Sequence, residues 1–228
     1  MAQLAVAALH RWSVSPAKAR EIQEQLRGRV RVAPRRRRVR TVAGADVSVD
    51  REGERVHAAV VVLGYRGLER IEARTHTRRL SFPYVPGLLS FREAPAILAT
   101  FRRLRTRPDV LICDGQGLAH PRRLGLASHL GLWLGIPTIG CAKSLLVGEH
   151  EAVGEERGAA APLVLDREAV GAVLRTRDGV KPVYVSPGHL IDTAAACDIV
   201  LGCCTRYRLP EPIRAAHHLA GERSRRQA

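Results

Sequence analysis

Two short apolar runs, residues 109–113 and 136–141, flank a helix-forming stretch at 128–134. A run that is apolar at nearly every position predicts a strand buried on both faces, because a half-wet strand would alternate. Strand, helix and strand in that order predict a parallel pair joined by a crossover, which directs the chain towards an α/β fold. The preceding stretch has a different character. Residues 41–49 read as a strand, 57–65 as a second, β-branched and buried one, and Gly67 as a turn. Residues 68–80 then return as a polar, antiparallel edge strand, so the first half is a meander. A mixed sheet follows from joining the two halves.

Helix signals surround these strands. Ser15-Pro16 is an N-cap followed by proline at the first helical position, for a helix through Glu21 and Leu26 that stops near Gly28. Pro95 is expected in the first turn of a helix continuing through Ala96, Ile97, Phe101 and Leu104, and residues 193–201 form a late helix. Residues 150–162 read as a surface loop. Asp178-Gly179 is a hairpin signal between 170–175 and 183–185. No internal repeat is visible. The expectation is one α/β domain over residues 1–222, a mixed sheet flanked by helices, with a basic, frayed tail over 223–228.

The chain has 228 residues, enough for one mid-sized domain, and 46% of them are hydrophobic, which excludes wholesale disorder. No apolar run approaches the roughly 20 residues that span a bilayer. Residues 1–12 lack a basic leader and a long apolar segment, so no secretory signal and no membrane partner are expected. Five cysteines without CxxC spacing outline neither a disulfide framework nor a zinc site, and a reducing cytoplasm is the expected location. Lys and Arg number 37 against 22 Asp and Glu, a formal charge of +15, which points to a polyanionic partner. The run Arg35, Arg36, Arg37 and Arg38 reads equally as a solvated loop or as a phosphate contact.

Three carboxylates stand out, by where they sit, as residues that could carry chemistry. Asp46 lies inside an otherwise apolar strand, where an unpaired charge is costly. Asp114 lies where a buried strand opens into Gly115-Gln116-Gly117, and Glu93 lies just ahead of the helix expected at Pro95. Such groups can converge on a divalent cation, and oxygen ligands suit Mg²⁺. Read singly, Glu93 is a helix N-terminal charge and Asp114 a turn residue. The glycine pair lacks the third glycine of a dinucleotide loop, and neither a GKS/T loop nor a GxSxG elbow is present. Nucleotide-cofactor, ATPase and serine-hydrolase chemistry are therefore disfavoured. His120, Arg122 and Arg123 follow the glycine pair. Lys143, one of only three lysines (with Lys18 and Lys181), follows a buried strand, where a compact ammonium differs from a guanidinium. Ser186-Pro187-Gly188-His189 and His217-His218 remain open between capping turns, a solvated helix face and functional groups.

Several of these segments together resemble the endonuclease V family. They are Val42-Ala43-Gly44-Ala45-Asp46, the run from Phe82-Pro83-Tyr84-Val85-Pro86-Gly87 to Glu93, and Asp114-Gly115-Gln116-Gly117-Leu118-Ala119-His120-Pro121-Arg122. Ile136-Pro137-Thr138-Ile139-Gly140-Cys141-Ala142-Lys143-Ser144, Val185-Ser186-Pro187-Gly188-His189 and Leu209-Pro210-Glu211-Pro212 follow in the family's order. The resemblance implies a ribonuclease H-like fold. It also implies a Mg²⁺-dependent endonuclease, with Mn²⁺ a plausible substitute, that acts on deoxyinosine in DNA. Such an enzyme nicks the second phosphodiester bond 3′ of the lesion and leaves 3′-hydroxyl and 5′-phosphate ends. Carried over by motif, Asp46, Glu93 and Asp114 form the metal site, with Lys143 and His217 near the scissile phosphate and His120 and Arg122 in support. Pro83, Tyr84, Val85 and Pro86 form a DNA wedge, and Gly87, Leu89, Gly115, Gly125 and Leu126 a base pocket. Cys141, Ile213 and Ala215 depart from the family's usual wording, and His218 beside His217 leaves the register there open. Two other readings stay in view: an endoribonuclease acting on inosine in RNA, and a noncatalytic lesion-binding module.

Overall fold

Ser15 opens the first helix as its residue type dictates: its hydroxyl accepts from the Lys18 N–H at 3.2 Å, and Pro16 begins α1, Pro16–Arg27. The computed structural model describes residues 4–34, 37–50 and 52–225. Strands β1 (Thr41–Val49), β2 (Arg55–Gly64) and β3 (Arg70–Arg79) pair antiparallel in sequence, which is the expected meander. Helix α2 (Leu89–Phe101) leads to β4 (Val110–Cys113), which is parallel to β1. Helix α3 (Leu126–Leu134) leads to β5 (Thr138–Ala142), parallel to β4. The chain continues through β6 (Ala160–Leu165), β7 (Glu168–Leu174), β8 (Val183–His189), α4 (Thr193–Gly202) and α5 (Glu211–Arg225). Among the described residues, eight strands form one mixed sheet in the order β3-β2-β1-β4-β5-β8-β7-β6, and its first five strands have the ribonuclease H-like arrangement.

Both faces of the central strands are covered, which explains the unbroken apolar runs. Val42, Val110, Ile112, Ile139 and Cys141 bury one face against Ile199, Val200, Ile213 and Ala216 of α4 and α5. Ala43, Ala45, Leu111 and Cys113 bury the other against α2 and α3, where Ile97, Phe101 and Leu130 are in the same cluster. Helix α1 places Ala19, Ile22 and Leu26 over Phe82, Leu88, Phe91 and Leu124. No helix among the described residues is long and apolar enough to cross a membrane.

Three expectations are corrected. Pro95 lies in the interior of α2, not in its first turn, and Glu93 is consequently a mid-helix residue. Proline removes one helical donor, at a cost of about 3 kcal/mol in an ordinary helix. Here the residues before it, Leu88, Ser90 and Phe91, are all buried, and tertiary packing starts the helix two turns early. The surface loop expected over 150–162 ends at Ala160, where β6 begins, and Glu149 is bridged to Val164. Strands β6 and β7 are joined by Asp166-Arg167, both left-handed (φ +52° and +66°), a two-residue turn made without the glycine that would have announced it. Lastly, α5 continues through Arg223 to Arg225, so the expected tail starts as helix; residues 226–228 lie outside the described ones, as do Arg35 and Arg36 of the basic run.

Candidate active site

Parallel register aligns the chemistry. Ala45 is paired with Cys113, and Cys113 with Gly140, so Asp46 and Asp114 follow one residue later at the same end of the sheet. Glu93 joins them from α2. The Asp46 side chain is only 11% exposed. Its pKa is raised, first by burial and then by the Asp114 charge, while a hydrogen bond from His217 pulls the other way. Glu93 is pushed up to about 8, by burial first and then by Asp46 and Asp114. The buried Cys113 thiol is also raised, by burial and then by Glu93. Burial comes first in all three shifts, and the mutual repulsion of the negative cluster adds to each.

Two nitrogen-bearing side chains meet this cluster. Lys143, immediately after β5, places Nζ 2.5 Å from Asp114 Oδ2 while remaining half-exposed. His217 Nδ1 lies 2.7 Å from Asp46 Oδ2. Of the adjacent histidines, His217 is therefore the one that reaches the carboxylates. Gly44 makes this possible. It shares a strand face with Asp46, two residues away, and a Cβ at Gly44 would sit 2.0 Å from the Pro212 carbonyl oxygen. Helix α5 thus rests directly on the β1 backbone, and His217, further along the helix, reaches Asp46.

Residues 83–86 form an exposed loop with Tyr84 at 70% exposure. Both of its ends are tied down. Arg92 Nη1 donates to the Phe82 carbonyl at 3.0 Å. The Gly87 carbonyl accepts from His120 Nε2 (2.9 Å), Arg122 Nη2 (2.8 Å) and Gln23 Nε2 (3.1 Å). Gly87 itself has φ +75°, which a glycine adopts at no steric cost. His120 accepts the Arg122 N–H through Nδ1 at 3.1 Å, and burial lowers its pKa to about 4, so it is a neutral, Nε2-protonated ring. The two groups assigned a supporting role by motif thus support this loop, not the carboxylates.

Behind Tyr84 lies a hollow of about 330 Å³, within the size range of ligand pockets. Gly87, Leu89, Gly115, Gly125 and Leu126 all line it, as do Tyr84, Val85 and Pro86 of the loop; Pro83 does not. Asp114 and Lys143 line it as well, so the hollow opens onto the carboxylate cluster. Gln116 is also in its wall, with Nε2 donating to the Ser144 carbonyl at 3.2 Å and a buried Oε1 that has no partner among the described residues.

The donor chemistry of the cluster suits a hard divalent cation, since three carboxylates offer only oxygen and their mutual repulsion is what such an ion would relieve. As the side chains stand, Asp114 is engaged by Lys143 and Asp46 by His217. In this arrangement no group of three His, Cys, Asp or Glu side chains among the described residues is gathered closely enough to hold a metal ion. The residues fit the ion by charge and ligand type.

Sequence reasoning missed Gln23. Its Nε2 also donates to the Leu124 carbonyl at 3.1 Å, and its Oε1 accepts from Arg122 Nε at 2.6 Å. A signal existed: Ala19, Ile22, Gln23 and Leu26 are the buried stripe of α1, and Gln23 is the polar member of it. Leu145 and Leu146, exposed on the rim of the hollow, carried no such signal.

A family model described as Endonuclease V matches residues 24–218. An endonuclease V from Roseiflexus castenholzii is 52% identical over 213 residues, spanning 93% of this chain and 95% of that protein. The crystal structure of the endonuclease V from Streptomyces avermitilis is similar with a TM-score of 0.91 and 43% identity, covering 99% of each chain. A Ciona intestinalis endonuclease V, in complex with a 23mer DNA containing an inosine followed by a ribo-adenosine, is similar with a TM-score of 0.81. Its identity is 27%, over 94% of this chain and 100% of that one.

Proposed function

The chain belongs to the endonuclease V family of nucleases, and on that premise we propose that it nicks DNA at the second phosphodiester bond 3′ of deoxyinosine, with Mg²⁺ as its cation. The products would carry 3′-hydroxyl and 5′-phosphate ends. One observation carries the reading: the carboxylate cluster and the hollow behind Tyr84 share Asp114 and Lys143, so a base held in one puts its own backbone beside the other.

Tyr84, on a loop stiffened by two prolines and tied at Phe82 and Gly87, takes the place of the extruded base in the stack. The base enters the hollow, where backbone groups at Gly87, Leu89, Gly115, Gly125 and Leu126 read its edge. Three donors already occupy the Gly87 carbonyl, so the Gly87 N–H is the group left for the base. Asp46, Glu93 and Asp114 would hold the cation, which when bound supplies activated water and charge stabilisation at the phosphoryl oxygens. Lys143 Nζ, half-exposed beside Asp114, donates to the scissile phosphate. His217 is oriented by its Nδ1–H bond to Asp46, which leaves Nε2 as the basic nitrogen that accepts a proton from the attacking water.

Matched DNA and RNA strands, each with a single inosine and each incubated in Mg²⁺ or EDTA, test the proposal. Nicking of the DNA at the second bond, lost in EDTA, is the expected result. The ribo-adenosine after the inosine in the Ciona complex motivates the RNA arm. Preferential RNA cleavage would replace the proposal with an endoribonuclease, and lesion binding without cleavage would replace it with a binding module.

A further inference from the structure

A second hollow, of about 570 Å³, is lined by Lys143, Lys181, Tyr207, Arg208, Leu209 and Arg214. Lys143 is the one residue it has in common with the hollow behind Tyr84, so that lysine is the wall between them. The two differ in chemistry. The first is glycine- and leucine-lined; the second holds four cations and an aromatic ring.

The second hollow is also a built surface. Arg208 Nη2 donates to the Lys143 carbonyl at 2.8 Å, and the Arg208 carbonyl accepts from Thr176 Oγ1 at 2.7 Å, which fixes this segment to the Lys143 backbone. The Arg214 guanidinium lies 3.3 Å from the centre of the Tyr207 ring and donates twice to Glu211, at 3.0 and 2.9 Å. Arg214 thereby covers one face and holds the ring, and Arg206 Cζ lies 5.7 Å from the ring centre, yet Tyr207 remains 41% exposed. Among the described residues neither Lys181 nor Arg208 pairs with a carboxylate. Arginines elsewhere, such as Arg157 and Arg175, also donate to carbonyls, but here cations without a carboxylate partner among the described residues adjoin both an exposed ring and the candidate active site.

We infer that this hollow binds the DNA strand on the 3′ side of the nick: Lys181 and Arg208 hold a phosphate, and a base stacks against the exposed part of Tyr207. The polarity rests on the proposed function. With the lesion base in the first hollow and the cleaved bond beside Lys143, the strand continuing past Lys143 is the 3′ segment. Cationic grooves with aromatic platforms bind single strands in this manner, independently of sequence.

Fluorescence anisotropy in EDTA tests the inference with the intact protein. The probes are single-stranded oligodeoxynucleotides with one inosine and a 3′ flank of about two or about ten nucleotides, the first below and the second within the roughly 4–16 nucleotides that such grooves occupy. A third probe moves the long flank to the 5′ side. The expected result is roughly tenfold tighter binding of the 3′-extended strand. The pair Lys181→Ala and Tyr207→Ala should abolish most of that gain and flatten the slope of log K against log salt by about 0.7 for each phosphate no longer neutralised. Affinity for the short strand, and the nicking rate at saturating substrate in Mg²⁺, should stay at the wild-type level. Tyr207→Phe, which keeps the ring, should retain the gain. A double variant with the wild-type ratio of long to short affinities, or a gain that follows the 5′ flank, would overturn the site. Failure of the wild type to prefer inosine over adenosine in the short strand would instead overturn the proposed function, and this assignment with it.

Discussion

Asp46 occupies a strand whose preceding residues, from Val42 to Ala45, are all buried, where an unpaired carboxylate costs several kcal/mol. His217 offsets part of that cost, and a shared cation would offset more. Asp46→Ala should therefore abolish nicking while lesion binding stays measurable, and full activity in that variant would sink the metal assignment. Tyr84 has a separate task on a separate loop. Tyr84→Ala should reduce discrimination between inosine and adenosine strands more than it reduces salt-sensitive binding to undamaged DNA; equal losses would count against a wedge. His120 couples the loop to pH. It stays neutral in the fold down to about pH 4, whereas the unfolded chain protonates near 6.5, so the stabilisation it gives is present above 6.5 and lost as pH falls towards 4. His120→Gln removes that dependence. Between pH 7 and pH 5 the variant should lose about 2 kcal/mol less stability than the wild type, read by chemical denaturation at both values. Identical losses would mean that the ring titrates as it does in water.

At the scale of elements, the packing of α5 on β1 positions His217. Gly44→Ala drives a methyl group into the Pro212 carbonyl, which cannot yield without shifting the helix. We expect about 1–3 kcal/mol of lost stability and a lowered nicking rate with little change in DNA affinity, since His217 retreats from Asp46. Unchanged melting together with an unchanged rate would refute the link. The strands and the crossovers were legible because burial on both faces writes an unmistakable apolar run, and Ser15-Pro16 announced α1 directly. Helix α2 was read two turns late because Pro95 is a strong local signal and its compensation is tertiary, in the packing of Leu88 and Phe91. Strand β6 was lost because its turn residues, Asp166 and Arg167, adopt left-handed conformations without glycine. The carboxylates were legible for a contrasting reason: Asp46 breaks an apolar pattern, and Asp114 ends one. Gln23 breaks the stripe of α1 in the same way, but what it anchors, a carbonyl more than sixty residues away, is a fact of assembly alone.

Across the whole molecule the charge of +15 acts on every phosphate at once. Affinity for undamaged duplex should fall at least tenfold between about 50 and 200 mM salt, through counterion release. An affinity insensitive to salt would remove charge as its source. The same arginines have a second consequence at the sheet's open end. Among the described residues strand β3 has no neighbour on its outer side, and an unpaired strand edge is a template for another copy's backbone. Arg70, Arg74, Arg78 and Arg79 stand along it. A second copy docking there would bring its own arginines against Arg70, Arg78 and Arg79 (Arg74 is paired with Glu72), and the repulsion opposes a further strand at this edge. At this edge the arginines that suit a polyanionic partner also disfavour pairing with another copy of the chain, whether or not nucleic acid is present.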